Sequence, residues 1–206
     1  MAINKIYTIT EESKAVYKEK NSEFIAYAFP VQTLEDFSGR LAGLKKEFYD
    51  ARHHCYAYKL KDGTFKYSDD GEPNGTAGIR IYNAIEHFNL TDTGIVVIRY
   101  FGGVKLGVGP LGKAYYTAAE SAAAAGNIVE KNPFLQVYVQ TDISLISSMF
   151  NLLSRYNAQI IEQDYIEGIG ITFHLPSGKL EDLRADVISL TRDKYKMEVR
   201  EGVIYK

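Results

Sequence analysis

A chain of 206 residues with 46% hydrophobic and 13% aromatic side chains can bury one substantial core or two small ones, which excludes wholesale disorder. Lys plus Arg number 24 against 26 Asp plus Glu, a formal charge of -2, so no global positive field exists and any nucleic-acid contact must come from a local patch. The single cysteine, Cys55, excludes an internal disulfide and a thiolate zinc cluster; with no apolar signal core and no long charge-free stretch, a cytoplasmic protein with no membrane association is expected.

In chain order, residues 7–9 read as an extended stretch and "EFIAYAFPV" (23–31) as a strand. Leu34, Phe37, Leu41, Leu44 and Phe48 follow at three- and four-residue steps, which predicts a helix that buries this stripe. "CYAYKL" (55–60) and "TFKYS" (64–68) are two strands, with Asp62-Gly63 between them as a hairpin turn. Ile79, Tyr82, Ile85, Glu86 and Phe88 predict a helix over about 76–88. "GIVVIRYF" (94–101) alternates too little for a solvent-faced strand and is expected at the buried centre of a sheet. A glycine-rich loop leads to "PLGKAYYTAAESAAAAG" (110–126), a helix with Pro110 in its first turn and Gly126 at its C-terminal cap. Its alanine run allows close approach to a sheet.

Near residues 130–135 the pattern restarts. "LQVYVQT" (135–141) is a strand, 143–156 a helix, 158–165 and 168–176 strands, 179–190 a helix and 195–202 a last strand. The order β-α-β-β-α-β within about 70 residues is the ferredoxin-like arrangement. Two domains joined at "EKNPF" (130–134) explain this better than one continuous sheet.

"YSDDGEPNGTAG" (67–78) places Asp69, Asp70 and Glu72 ahead of Pro73 and two glycines. The carboxylates are too compressed for an EF-hand, and a magnesium ion shared with a bound phosphate is the remaining metal reading. The favoured account is structural: Thr76 caps the following helix, Gly71, Pro73 and Gly75 shape the turn, and Asp70 or Glu72 accepts hydrogen bonds from loop N–H groups or from Arg and Lys. The carboxylates then organise a neighbouring basic site, because placed against a phosphate they would repel it.

"GVGPLG" (107–112) has the G-x-G-x-x-G spacing. A dinucleotide fold requires a strand running directly into the glycine turn and a larger parallel sheet, whereas "GGVKL" intervenes and a ferredoxin-like pattern follows. Gly102, Gly103, Gly107 and Gly109 have two compatible readings. They permit a tight strand-to-helix passage, and they expose backbone N–H groups that, with Lys105 and Lys113, can hold a phosphate.

"DARHHCYAY" (50–58) offers Arg52, His53 and His54. Adjacent histidines on a strand point to opposite faces, so they do not share a metal unless the backbone turns, and Cys55 does not complete a zinc spacing. One imidazole is expected inside and the other near the basic loops, with Cys55 an inert packed thiol. Ser68 or Thr76 with His53, His54 or His87 and Asp69 or Asp70 would supply hydrolytic groups, but no nucleophile elbow supports them.

Taken together, "ARHHCYAY", "YSDDGEPNGTAG" and "VVIRYFGGVKLGVGPLGKAY" resemble the YigZ/IMPACT family, strongly over 52–116 and by topology after 134. The resemblance implies an α+β fold of two domains. An IMPACT-type N-terminal domain over 1–131 would be similar to domain IV of elongation factor G and to the second domain of a small-subunit ribosomal protein. A ferredoxin-like βαββαβ domain over 135–206 would be similar to domain V of that factor. An association with nucleic acid or the translation machinery follows by analogy of fold. Eukaryotic relatives regulate translation through an additional N-terminal domain, so that role is not carried over.

The family's basic and glycine-loop features fall on Arg52, His53, His54, Arg99, Gly102, Gly103, Lys105, Gly107, Gly109 and Lys113. Its acidic signature falls on Asp69, Asp70, Gly71, Glu72 and Pro73, with Gly75, Thr76, Ala77 and Gly78 behind it. Two departures stand out. Glu23 in "KNSEFI" occupies a place where arginine is common, which weakens a basic surface there. Gly109-Pro110-Leu111 replaces Gly-Gly-Leu, removing one N–H from an anion nest. The resemblance implies no catalytic residues, and the dipeptidase label of some members finds no chemical support here.

The expected function is a non-enzymatic module that binds RNA or a ribosome-associated surface through Arg52, His53, His54, Lys105 and Lys113, with no cofactor and no metal. Tyr56, Tyr58, Tyr100 and Phe101 are candidate base-stacking rings, although alternation places several in the core. One alternative is a hydrolase of a small phosphorylated or peptide substrate, with a histidine set against the acidic loop in a concave pocket. Another is a protein-interaction module whose C-terminal domain presents its sheet to a protein partner.

Overall fold

The computed structural model describes residues 4–206. By internal contacts the chain divides into two compact units, Ile6–Glu130 and one containing Lys131–Lys206.

In the first unit β1 (Ile6–Ile9), β2 (Ser13–Glu19) and β3 (Ser22–Pro30) precede α1 (Leu34–Glu47), which is followed by β4 (His53–Lys59) and β5 (Phe65–Ser68). Then come α2 (Gly78–His87), β6 (Thr93–Tyr100), α3 (Val108–Ala125) and β7 (Ile128–Lys131). Five strands form one sheet in the order β2-β3-β6-β4-β5, and β1 pairs with β7. Each adjacent pair in the large sheet is antiparallel.

The uninterrupted apolar run of β6 has a direct cause: helices cover both faces of its sheet. Ile95 and Val97 join the core beneath α2 and α3, with Phe24, Ile81 and Tyr115. Val96 and Ile98 face the other way, into the layer where Phe37 and Leu44 of α1 pack against Tyr27 and Tyr58. Burying one such side chain contributes about 1.5–3 kcal/mol. Ala118, Ala119, Ala122 and Ala123 are fully buried on α3, and the Ser13 hydroxyl donates to the Ala122 carbonyl at 2.7 Å, which shows how near β2 the helix lies. A larger residue at Ala119 would overpack this contact at a cost of about 1–3 kcal/mol.

Helix α1 starts with a reciprocal cap. Asp36 N–H donates to Thr33 Oγ1 at 3.1 Å, and Thr33 N–H donates to the Asp36 carboxylate at 2.9 Å. These bonds hold the Asp36 carboxyl below its usual range.

Several boundaries differ from the sequence reading. The sequence carries little signal for strands β2 and β7, because β2 alternates half-buried and exposed residues and β7 is four residues long with no fully buried position. Strand β4 begins at His53, so both histidines belong to it. Helix α3 begins at Val108, which places Pro110 third in its first turn, and Gly126 is its C-terminal cap.

The second unit contains β8 (Pro133–Thr141), α4 (Ile146–Arg155), β9 (Gln159–Asp164), β10 (Ile169–Pro176), α5 (Leu180–Thr191) and β11 (Lys196–Tyr205). The sheet order is β11-β8-β10-β9 with antiparallel neighbours, the ferredoxin-like topology. Alternate residues Val137, Val139, Ile171 and Phe173 meet Met149 and Leu153 of α4 and Leu183 and Val187 of α5. Among the described residues no helix is long and apolar enough to cross a membrane.

Candidate anion-binding site

The loop between β5 and α2 gives each of its three carboxylates a different task. Asp69 accepts from three backbone N–H groups, those of Gly75 at 2.9 Å, Ala77 at 2.9 Å and Gly78 at 2.8 Å. It therefore satisfies donors that the first turn of α2 leaves open. Thr76 is not the cap expected from its position. The N-cap residue is Ala77, and the buried Thr76 hydroxyl donates backwards to the Pro73 carbonyl at 2.6 Å. A carboxylate eight residues upstream of the cap outcompetes the nearer hydroxyl because the turn folds it over the helix end.

Asp70 fastens the loop to β4. Its carboxylate accepts from the His54 N–H at 2.7 Å, and its carbonyl lies 2.8 Å from His53 Nδ1. A carbonyl only accepts, so His53 Nδ1 carries a proton, and Nε2 is the ring nitrogen turned toward Glu72. Glu72 turns inward. Its Oε1 accepts from Arg99 Nη1 at 2.5 Å and from the Tyr115 hydroxyl at 2.8 Å, and His53 Nε2 lies 3.8 Å away. Among the described residues no cluster of His, Cys, Asp and Glu is arranged to hold a metal ion.

Beside this network lies an open hollow of about 550 Å³. Arg52, His53, Glu72, Arg99 and Lys105 supply its charged and polar lining, and Gly107, Val108 and Leu111 bring the start of α3 to its wall. Gly107 precedes the helix at φ 83, a conformation that a side chain would strain. The N–H groups of Val108 and Gly109 begin a helix of 18 residues, whose N-terminal end favours an anion. Pro110 contributes no donor. Arg52 and Lys105 are exposed and have no acidic partner among the described residues.

The candidate residues divide. Arg52, His53, Arg99, Lys105 and Gly107 line the hollow. His54 does not: alternation along β4 turns it to the α1 face, where it is 6% exposed and cannot meet a phosphate. Lys113 also falls outside the lining, because it lies on the exposed side of α3. Arg99 reaches the hollow with its charge already matched by Glu72, so it contributes donors more than net attraction; its Nε is buried without a partner. Gly102 serves packing, since a Cβ there would collide with the Asn21–Ser22 backbone, and its N–H donates to Ser22 Oγ at 3.2 Å. Gly103 and Gly109 have open space where a Cβ would go.

Burial accounts for the shifted titrations nearby. It lowers the His54 imidazole, opposed by Asp70, and it raises the Cys55 thiol and the Tyr115 phenol far above their ordinary ranges. Cys55 is fully buried, with its thiol donating to the Asp69 carbonyl at 3.0 Å, and is a structural group. Tyr115 and Ser22 had escaped the reading of the sequence. A tyrosine in an alanine-rich helix was the available signal for the first; nothing local marked the second.

Comparison with known proteins agrees with this architecture. The Impact N-terminal domain family matches residues 20–123. The IMPACT family member YvyE of Bacillus subtilis (strain 168) is 27% identical over 202 residues, covering 97% of this chain and 92% of that protein. The IMPACT family member in pol 5'region of Thermus thermophilus is 31% identical over 159 residues, 77% of this chain and 87% of its own. A solved crystal structure of an hypothetical protein superposes with a TM-score of 0.67 at 26% identity, covering 98% of this chain and 100% of the other. The chain belongs to the IMPACT family.

Proposed function

We propose that the first unit is a non-enzymatic RNA-binding module, acting in the cytoplasm on RNA or a ribosome-associated surface in support of translation. The convergence of Arg52, Lys105 and the α3 N-terminus at one accessible hollow carries this reading. Two unpaired cations and open backbone donors supply directed contacts to a phosphate, while Glu72 stays occupied by Arg99 and Tyr115. The near-neutral chain thereby acquires a local positive site that its overall charge conceals.

Titrating a structured RNA between about 50 and 200 mM salt tests the reading. Lys105→Ala should weaken binding and reduce the salt slope by about 0.7–0.9, and Arg52→Ala should do the same. Lys113→Ala should have the smaller effect. A binding isotherm without salt dependence, or one indifferent to the Arg52→Ala/Lys105→Ala pair, sinks the assignment.

One observation favours a second reading, hydrolysis of a small phosphorylated substrate. The Asp70 carbonyl keeps a proton on His53 Nδ1, so Nε2 is the nitrogen that serves as a base at the hollow when the ring is neutral. Turnover of phosphoesters or nucleotides that disappears in His53→Gln would support it, and absence of turnover would leave the binding module alone.

A further inference from the structure

The walls of the hollow differ in chemistry. Phe101 and Val108 are 42% and 67% exposed there, and Pro73, Leu106 and Leu111 extend the apolar side. Arg52, His53 and Lys105 form the polar side. A bare phosphate would satisfy the cations and leave the apolar wall wet. A duplex presents its phosphates outward and keeps its bases stacked, so it would leave the wall equally unused.

The Phe101 ring is prepared for a flat partner. The Arg99 guanidinium carbon lies 5.5 Å from its centroid and 5.4 Å from that of Phe24, so the cation sits between two rings. Arg99 is 5% exposed and anchored by Glu72, which fixes this arrangement before any ligand arrives. Its Nε is buried without a hydrogen-bond partner. A volume of about 550 Å³ falls within the range of about 300–1,000 Å³ typical of small-ligand sites, suited to one nucleotide rather than a helix.

We infer that the hollow takes a single unstacked nucleotide of single-stranded RNA, with its base against Phe101 and its phosphate toward Arg52 and Lys105. This rests on the RNA-binding reading above and adds selectivity for unpaired over duplex strands. Stacking on an aromatic ring is tolerant of sequence, because every base has a flat face. An unpaired base also enters without the unstacking cost that a duplex would impose.

The test uses the full-length protein and a labelled single-stranded RNA of roughly 12 nucleotides, alone and annealed to its complement. Competition by a nucleoside monophosphate, phenyl phosphate and inorganic phosphate is measured in parallel. The single strand should bind at least about tenfold more tightly than the duplex, and Phe101→Ala should weaken it about tenfold with an unchanged salt slope. Phe101→Tyr should keep most of the affinity, and thermal melts of both variants report whether they fold. The nucleoside monophosphate should compete better than either other phosphate.

Equal binding of duplex and single strand overturns the inference. So does normal affinity in a folded Phe101→Ala variant, or competition by phenyl phosphate equal to that of the nucleotide. If Phe101→Ala does not fold, loss of single-strand preference in Phe101→Tyr would count equally against it. No salt-dependent RNA binding by the wild type would instead defeat the underlying function, a distinguishable result.

Discussion

Arg99 and Glu72, 27 positions apart in the chain, meet at 2.5 Å with both side chains almost wholly buried. Breaking such a pair from one side leaves an uncompensated charge in the interior. Glu72→Ala should therefore cost about 3–5 kcal/mol in urea denaturation, and Glu72→Ala combined with Arg99→Met should cost less than that single change. A double variant as unstable as the sum of its parts would show that the two side chains are not coupled.

Asp69 should matter more to the loop than Thr76. Replacing a capping side chain by alanine costs about 0.5–2 kcal/mol, and Asp69 serves three N–H groups. Asp69→Ala is expected at or above the top of that range, with Thr76→Ala well below it. Reversal of this order in chemical denaturation would restore the threonine as the cap.

Two glycines should respond with opposite signs. A side chain at Gly102 would collide with the Asn21–Ser22 backbone, so Gly102→Ala should lower the melting temperature. Gly109 lies in the first turn of α3 with open space around it, and Gly109→Ala should raise stability by about 0.4–1 kcal/mol. Both are read from thermal melts, and a stabilised Gly102→Ala variant would contradict the close approach of the two segments.

Burial depresses the His54 pKa below its ordinary 6.5, with Asp70 opposing and Lys45 and His53 reinforcing the shift. Between the depressed folded value and 6.5 the unfolded chain binds more protons, so this residue makes stability fall as pH drops through that window. His54→Phe should reduce the loss, seen as a variant-minus-wild-type difference that grows from neutral pH toward pH about 5. A difference independent of pH would mean that His54 does not change its protonation on unfolding.

Much of the fold was legible because local periodicity reports burial. The ferredoxin-like order followed from repeated switches between two- and four-residue spacing, and β6 announced a sheet covered on both faces. Strand β2 was silent because its residues, at the sheet's edge, are half exposed and carry little apolar contrast. Within the motifs, the alternation of His53 and His54 set the two rings on opposite faces of β4. His54 is the buried one, and His53, with its side chain 15% exposed, borders the hollow without standing free of the protein.

Residue chemistry and turn-forming glycines could nominate a basic site, but neither could select its members. That choice depended on which strand face met which helix: β4 turns His54 toward α1, while α3 presents Gly107 to the hollow and carries Lys113 away from it. The division of labour among Asp69, Asp70 and Glu72 arose in the same way, since hydrogen-bond partners from β4, α2, β6 and α3 are brought together only when the sheet and helices pack. Spacing along a chain governs what each element can bury, whereas an electrostatic site is a sum over charges and donors from separate elements, and its sign at any point is undefined until packing sets their distances.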